Sequence, residues 1–213
     1  MSLQNKYIED EVSCRDSRYH LHPLMRSPQD MRIRWYPMRI FHSSIKRQKE
    51  LNEQLLQEAS IDRTYIPQTL VNAEEKTYVP TLVNYIFLRT TLKSLRKIKA
   101  EKKYYDNLRY VMNIGRDESY NQTSEIAHVP DKQMEDFMRV IESKNEQVLM
   151  LENLEFACKP GETVRITQGV FEGIEGILKS IKKHLCVVIP IKNIMAVAIT
   201  NVPKKYIQKI EIE

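Results

Sequence analysis

The chain opens with a strand pattern and then a helix pattern. The run RIRWYPMRIF (32–41) is rich in aromatic and branched residues, which predicts a β-strand. Ser43 and Ser44 follow it as candidate N-caps. Beyond them the apolar residues fall within one arc of a helical wheel, which predicts an amphipathic helix with a single core face. These residues are Ile45, Leu51, Leu55, Leu56 and Ala59.

The two patterns keep alternating as far as residue 143. Residues 63–71 and 77–91 predict strands, and Pro67 and Pro80 favour strand starts or edges, because proline lacks the N–H that a ladder needs. A helix follows, then a strand at 108–113, then a last helix with the strongest helical period in the chain. The apolar positions of these two helices are Leu92, Leu95 and Ile98, then Met134, Phe137, Met138 and Ile141.

This order, β-α-β-β-α-β-α, predicts an α+β fold. An antiparallel sheet with helices packed on it, of the split βαβ or ferredoxin-like kind, accommodates it.

The composition changes sharply after residue 160. Four of the five glycines lie between 161 and 176, and no helical period is present beyond them. Turns are predicted at Gly169, Gly173 and Gly176, followed by short strands in GILKSI, LCVVIPI, IMAVAIT and YIQKIEI. Four or five short strands over about fifty residues predict a small closed β-barrel, because closure protects the edges of so short a sheet.

These patterns divide the chain into four parts. Residues 1–31 form an N-terminal arm, 32–143 a first domain, 144–160 a linker and 161–213 the barrel. The net charge is +5, of which the first domain carries +4 and the barrel +3, while the arm and the linker each carry −1. Two mildly basic domains suit a protein that works near nucleic acid.

Neither a membrane segment nor a secretory leader is predicted. The longest apolar run, LCVVIPI at 185–191, is far shorter than the ~18 residues that would suggest a membrane span. The N-terminus is charged and lacks an apolar core. We therefore expect the protein in the cytoplasm.

Candidate catalytic and metal chemistry is sparse. The three cysteines are far apart and form no C-x-x-C pair. Cys14, His20 and His22 could supply three metal ligands, but no fourth ligand is close, which favours scattered polar residues in a loose arm. Phosphate-binding loops and nucleophile turns are not present in the sequence. We expect no catalytic residue, no metal and no cofactor, and so no enzyme.

The segment GETVRITQGVFEGIEGILKSI (161–181) resembles a KOW motif, in which hydrophobic residues alternate around a key glycine, here Gly169, followed by an aromatic residue, here Phe171, and two further glycines. The upstream segment RWYPMRIFHSSIKRQKELNEQL is similar to the opening strand and helix of NusG N-terminal domains, which commonly begin with a Trp-Tyr pair, here Trp35-Tyr36. LVNYIFLRT resembles the segment of that family with a Tyr and a Phe one residue apart. LRYVMN resembles its next strand, and VPDKQMEDFM its last helix. The resemblance covers residues 32–213.

One segment departs from the family pattern. Many members carry Phe-Pro-Gly or Phe-Pro-Asn before the tyrosine, and here Leu82-Val83-Asn84 stands instead. The Asn84-Tyr85-x-Phe87 form and the overall divergence look more like the specialised paralogs of RfaH and UpxY type than like housekeeping NusG. Such paralogs act as antiterminators on chosen long operons, and the UpxY type serves capsular polysaccharide loci.

The resemblance implies an SH3-like KOW barrel behind a NusG N-terminal domain, in a transcription elongation and antitermination factor. The first domain would bind the clamp helices of the largest RNA polymerase subunit through a patch that includes Tyr85, Phe87 and Tyr110. The alternative is that these aromatic residues are ordinary sheet core. The two-residue period of a strand puts Tyr85 and Phe87 on one face, so both should belong to the interface or both to the core.

The basic stretch 89–103 is a candidate nucleic-acid surface. Lys93, Arg96 and Lys97 would lie near upstream or non-template DNA of the transcription bubble. A solvated helix face is the alternative.

The barrel should recruit a partner, which in this family is termination factor Rho or the ribosomal protein that doubles as NusE. Phe171, Ile189 and Ile191 are the candidate contacts, and barrel core explains each of them as well. In RfaH this domain can refold into a helical hairpin, but the Val- and Ile-rich end of this chain favours a stable barrel.

A different function remains open. A ribosome-associated KOW protein that binds ribosomal RNA would carry the same glycine pattern. It would be expected to have a far more basic chain and no Trp-Tyr opening domain.

Overall fold

The computed structural model describes residues 31–41, 44–72, 77–80, 84–101, 104, 106–116, 120–151, 161–181, 183–191 and 194–210. The predicted arm and its Cys14, His20 and His22 therefore lie outside the described residues, apart from Met31. No helix among the described residues is long and apolar enough to cross a membrane.

The described elements run in the following order. They are β1 (Ile33–Ile40), α1 (Ile45–Leu56), β2 (Ile61–Tyr65), β3 (Gln68–Asn72), β4 (Thr77–Pro80), β5 (Tyr85–Thr91), α2 (Leu92–Ala100), β6 (Leu108–Tyr110), β7 (Met112–Arg116), β8 (Gln122–Ile126), α3 (Asp131–Glu142), β9 (Val148–Leu151), β10 (Thr163–Ile166), β11 (Glu175–Ile181), β12 (His184–Ile191), β13 (Met195–Thr200) and β14 (Ile207–Lys209). A 3-10 turn at Lys204–Tyr206 precedes β14.

The first sheet has four antiparallel strands in the order β2-β5-β1-β6, with helices on both faces. Alternation along β1 explains this arrangement. Tyr36, Met38 and Ile40 pack against Leu55 of α1 and their cluster continues to α2. Trp35, which points the other way, packs in the cluster that contains α3. The predicted α+β class, with an antiparallel sheet and packed helices, is confirmed.

The predicted strand boundaries need correction in three places. Residues 63–71 belong to two strands, β2 and β3, and residues 77–91 to β4 and β5. Residues 108–113 also divide, because Val111 separates β6 from β7. Strands β3 and β4 pair as one hairpin, and β7 and β8 as another that was not predicted. The hairpins leave the four-stranded sheet, so a continuous apolar run does not correspond to a continuous strand.

Helix α1 has a narrower core face than predicted. Leu51 and Leu55 are buried as expected, and Gln48 is buried beside them. Ile45 and Leu56 are exposed. The helix ends at Leu56, so Ala59 lies beyond it. A stripe at i, i+3 and i+7, formed by Gln48, Leu51 and Leu55, is enough to cover the sheet, and Leu56 lies outside it.

The second sheet has six antiparallel strands in the order β14-β10-β11-β12-β13-β9. In the part of the chain that the structure describes, these pairings form an open sheet with β14 and β9 at its edges, whereas a closed barrel was predicted. Strand β9 lies within the predicted linker 144–160, and it pairs with β13 from Ile199↔Val148 to Ala196↔Leu151. It covers the β13 edge that closure would otherwise protect.

Helix α3 lies between the two sheets. Phe137 belongs to a cluster of buried residues that also contains Phe87 of the first sheet and Val164 of the second. Arg139 donates from Nη1 to the carbonyl oxygen of Glu172 at 2.7 Å and from Nη2 to that of Val170 at 2.9 Å. The two sheets are therefore joined through one helix by apolar packing and by hydrogen bonds.

Candidate functional site

Tyr85 and Phe87 share one face of β5, as period two predicted, but they differ in burial. Phe87 lies opposite Pro37 and Tyr65 and is 0% exposed. Its ring centroid is 6.0 Å from that of Phe137 on α3. Tyr85 lies opposite Arg39 and is half-buried against the same cluster. The structure therefore places Phe87 in the core and Tyr85 at the border of the core.

Tyr110 lies on the other face of the sheet. It pairs with Met38, whose side chain belongs to the cluster under α1 and α2. Burial raises the pKa of the Tyr110 phenol, and the nearby Arg96 guanidinium opposes that rise. A partner bound to one face of the sheet would therefore not contact both Tyr110 and Tyr85. Tyr110 instead neighbours Arg96, one of the candidate nucleic-acid residues.

Asn84 enters β5 in a left-handed conformation, with φ of 73°. Its carbonyl oxygen accepts a hydrogen bond from the Ile40 N–H at 2.7 Å, which fixes the corner beside β1. Glycine adopts this backbone region freely, and asparagine and aspartate adopt it more readily than most other residues. The left-handed backbone therefore gives a physical reason for an asparagine at this position.

Helix α2 presents its basic side chains outward. The Thr91 hydroxyl caps it by accepting from the Ser94 N–H at 3.1 Å. Leu95 and Ile98 are buried as predicted, and Leu92 packs at the border of their cluster. Lys93 and Lys97 are exposed and Arg96 is half-buried. These three residues form a cationic strip.

The three candidate contacts in the second sheet are buried. Phe171, Ile189 and Ile191 all belong to the cluster that includes α3. Gly169 and Gly173 have φ of 92° and 82°, so the turns predicted at these two glycines are confirmed. We call the segment from Gly169 to Gly173 the Phe171 loop. Val170, which the sequence analysis did not single out, is 67% exposed at the tip of that loop.

A patch at the end of β1 was not predicted from the sequence. Arg39 is exposed and lies directly opposite both Tyr85 of β5 and Arg109 of β6, so the three residues share a face. Two residues on, Phe41 is 61% exposed, and the Arg109 guanidinium carbon lies 4.7 Å from the centroid of its ring. We call Arg39, Phe41 and Arg109 the Phe41 patch.

Lys99 lies nearby on α2, whose Leu95 and Ile98 pack against the opposite face of the sheet. Partial burial lowers the pKa of the Lys99 ammonium, repulsion from Arg109 lowers it further, and the Asp106 carboxylate opposes both. Lys99 and Arg109 are therefore close enough for their charges to interact. The sequence did contain a sign of this patch. Alternation along β1 puts Arg39 and Phe41 on the same face as Trp35 and Pro37, so the apolar face is interrupted by an arginine.

The described residues offer no cluster of metal ligands beside these surfaces. They contain no group of three or more His, Cys, Asp or Glu side chains that could hold a metal ion. A cleft of about 410 Å³ lies between α3 and the Phe171 loop, and its lining includes Arg63, Met138, Arg139, Glu142, Val170 and Phe171.

Comparison with known proteins adds no relative: no protein-family model matches the chain, and no curated protein matches it.

Proposed function

We propose that this chain is a transcription elongation and antitermination factor of the NusG type, specialised like the RfaH and UpxY paralogs. It would bind RNA polymerase through the first sheet and recruit a second partner through the C-terminal sheet. It would thereby promote expression of a long operon, such as one for capsular polysaccharide. The observation that carries the proposal is the left-handed Asn84 leading into the Tyr85–Phe87 strand at the centre of a four-stranded sheet.

The order of elements further supports the proposal. The four-stranded sheet and its helices are followed by an antiparallel sheet whose first loop turns on Gly169 and Gly173, with Phe171 between them. The SH3-like, KOW-type assignment of this second sheet is part of the proposal.

Tyr85 is the best-placed polymerase contact of the three candidates. It is half-buried at the border of the core, where a partner can reach it while Phe87 supports the strand from within. Aromatic residues at such borders are frequent anchors of protein interfaces. The partner surface would be the clamp helices of the largest polymerase subunit.

The cationic strip of α2 would face the DNA of the transcription bubble. Lys93, Arg96 and Lys97 project from a helix that carries no acidic residue between Leu92 and Ala100. Such a strip binds phosphates without regard to sequence, and its contribution falls as salt rises.

The C-terminal partner, Rho or a NusE-type ribosomal protein, would meet Val170 first. Phe171, Ile189 and Ile191 are buried, so a partner could contact them only after the Phe171 loop leaves α3.

Capture of purified RNA polymerase by the immobilised chain tests the proposal. The Tyr85→Ala variant should bind at least tenfold more weakly than the wild type, because loss of an aromatic anchor costs about 2 kcal/mol. Tyr120→Ala is the matched control, since Tyr120 is 81% exposed on the β7–β8 hairpin, and it should bind like the wild type. Alanine at Phe87 is unsuitable, because emptying a fully buried position would destabilise the fold.

Two results would count against the proposal. The wild-type chain could fail to capture polymerase, or Tyr85→Ala could bind as well as Tyr120→Ala. Capture of ribosomal subunits in place of polymerase would favour a ribosome-associated protein.

A further inference from the structure

Strand β9 is an edge strand whose outer side pairs with no other strand in the part of the chain that the structure describes. Its inner side pairs with β13. The Thr200 N–H donates to the Gln147 carbonyl oxygen at 2.8 Å, just before β9 begins. Thr200 and Gln147 are therefore a hydrogen-bonded pair of this antiparallel ladder, and they fix which backbone groups of β9 face inward.

Alternation along the ladder leaves Met150 facing outward. Hydrogen-bonded pairs recur at every second residue, so Leu149, opposite Ala198, and Leu151, opposite Ala196, direct their N–H and C=O groups to β13. Met150 lies between these two leucines and directs both of its backbone groups to the outer edge. It thus presents one donor and one acceptor side by side to a further strand.

The outer edge of β9 lacks the features that usually prevent pairing with another chain. Edge strands of natural proteins commonly carry a charged side chain, a proline or a bulge. The run VLML has no charge and no proline, and its register with β13 shows no bulge. Leu149 is 45% exposed, although its neighbours in the same row of the sheet, Ala198 and Val188, are 0% exposed. A buried apolar row therefore ends in a leucine that a further strand would cover.

The opposite edge of the same sheet is protected. Gln208 and Lys209 of β14 are exposed, and Lys209 Nζ lies 2.5 Å from a carboxylate oxygen of Glu162. Lysine on an edge strand opposes the addition of another strand. Of the two edge strands described in this sheet, β9 is the one that is apolar and uncharged.

We propose that β9 pairs with β9 of a second copy of this chain, antiparallel about a two-fold axis, so that the two sheets become one. With the axis at Met150, the Met150 residues of the two copies donate to each other's carbonyl oxygens. Leu149 of each copy then lies opposite Leu151 of the other, and both leucines lose exposed surface. Because β9 carries no charge, the pairing sets no like charges opposite each other within the strand.

The size of the contact and the other edge define the assembly. Two four-residue strands bury less than the ~1,000 Å² that a stable interface requires. The association should therefore be weak and reversible. It should also stop at a dimer, because the edges that remain are the lysine-bearing β14 strands. The inference does not rest on the proposed function, since neither polymerase binding nor its absence affects the pairing of β9.

Sedimentation equilibrium of the full chain over a range of concentrations from about 10 to about 500 µM tests the inference. The apparent mass of the wild type should rise from that of a monomer towards that of a dimer. Met150→Pro removes the outward N–H and leaves the groups that face β13 in place, a position where an edge strand tolerates proline. It should weaken association at least roughly tenfold. Met150→Ala, which loses the side chain but keeps the N–H, is the matched control and should associate like the wild type.

A second pair of variants tests the edge without proline. Leu149→Lys adds a charge to each copy near the two-fold axis, so it should weaken association, and less so at high salt. Gln208→Lys adds the same charge to the β14 edge and should have no effect. Amide hydrogen exchange supplies a residue-specific measurement: exchange at Met150 should slow as concentration rises, whereas the Leu149 amide, which faces β13, should exchange equally slowly throughout.

Four outcomes would overturn the inference. A wild type that stays monomeric at the highest concentration would show that another segment or partner covers the edge. Equal association of Met150→Pro and the wild type would exclude backbone pairing at Met150. Weakening by Met150→Ala as large as that by Met150→Pro would indicate a side-chain contact in place of a paired strand. Equal weakening by Gln208→Lys and Leu149→Lys would show that the association does not depend on the β9 edge.

Discussion

Gly176 lies inside strand β11, where a side chain has no room. A Cβ atom at this position would sit 2.7 Å from the Val188 carbonyl oxygen and 2.8 Å from a Val187 methyl group. The sequence predicted a turn here, as at Gly169 and Gly173, which do have positive φ. Glycine serves both turns and close strand contacts, and spacing alone does not distinguish the two uses.

The close strand contact makes Gly176 sensitive to any added side chain. Gly176→Ala should lower the free energy of unfolding by about 2 kcal/mol, because the neighbouring β12 backbone must shift. Gly115→Ala is the control, since its Cβ would meet only the Thr123 hydroxyl at 3.2 Å. Urea unfolding measures both, and equal midpoints for the two variants would contradict this account.

Asn84 shows how far one residue can be interpreted from sequence. Residues 77–91 were predicted as a strand with no turn at Asn84, because its φ of 73° depends on the corner that Ile40 and Asn84 form. Its side-chain oxygen is buried and has no hydrogen-bond partner among the described residues. The sequence pattern therefore predicted neither the corner at Asn84 nor its polar surroundings.

Helix α3 was the best-predicted element, but its polar contacts with the second sheet were not predicted. Its apolar period predicted burial of Met134, Phe137, Met138 and Ile141, and all four are buried. The sequence did not show that Asp136 is also buried, at 5% exposed. The Asp136 carboxylate accepts from Lys132 Nζ at 2.6 Å and from the Glu175 N–H at 3.1 Å. A polar residue that is buried against a second sheet cannot be distinguished from a solvent-exposed one by the hydrophobic pattern alone.

Phe137 is the central packing residue of α3. Its ring lies 6.0 Å from Phe87 and 6.4 Å from Tyr65, measured between centroids. Phe137→Ala should cost about 3–5 kcal/mol of unfolding free energy, because the cavity cannot collapse between two sheets. Glu135→Ala, on the exposed side of the same helix, should stay within about 0.5 kcal/mol. A loss below ~1 kcal/mol at Phe137 in urea unfolding would show that α3 packs loosely.

Strand β9 and the β7–β8 hairpin were missed for opposite physical reasons. In β9 the run VLML is apolar but short, and it lies among charged residues that suggest a linker. In β8 the run QTSEI is almost wholly polar, so no alternation marks it as a strand. Both are defined by their partners, β13 and β7, and cross-strand pairing is not visible in a local pattern.

At the scale of the whole molecule, α3 and β9 connect the two sheets, which were predicted as separate domains joined by a linker. The connection has three parts: the common apolar cluster, the contacts of Lys132 and Arg139 with carbonyl oxygens of the Phe171 loop, and the β9–β13 pairing. The Gln133 side-chain amide also donates to the Pro190 carbonyl oxygen. These contacts predict that the two sheets stay associated even when the chain between them is cut.

Cleavage of the chain tests that union directly. A protease site placed within residues 152–160 divides the chain after β9 and before β10. The two fragments should elute together on size-exclusion chromatography and separate only in denaturant. Arg139→Ala, which removes two hydrogen bonds to the Phe171 loop, should lower the denaturant concentration needed to separate them. Separate elution of the wild-type fragments without denaturant would show that the sheets associate only weakly.

The pairing of β9 with β13 has a consequence for synthesis. The ribosome makes Val148–Leu151 before β10, β11 and β12, and the partner strand Met195–Thr200 comes last of these. Until β13 has been synthesised, the backbone N–H and C=O groups of this apolar segment lack their partner strand. Exposed apolar segments of this kind are prone to aggregate with other chains. Translation rate through residues 152–200 should therefore influence the yield of properly folded protein more than the rate through the earlier part of the chain.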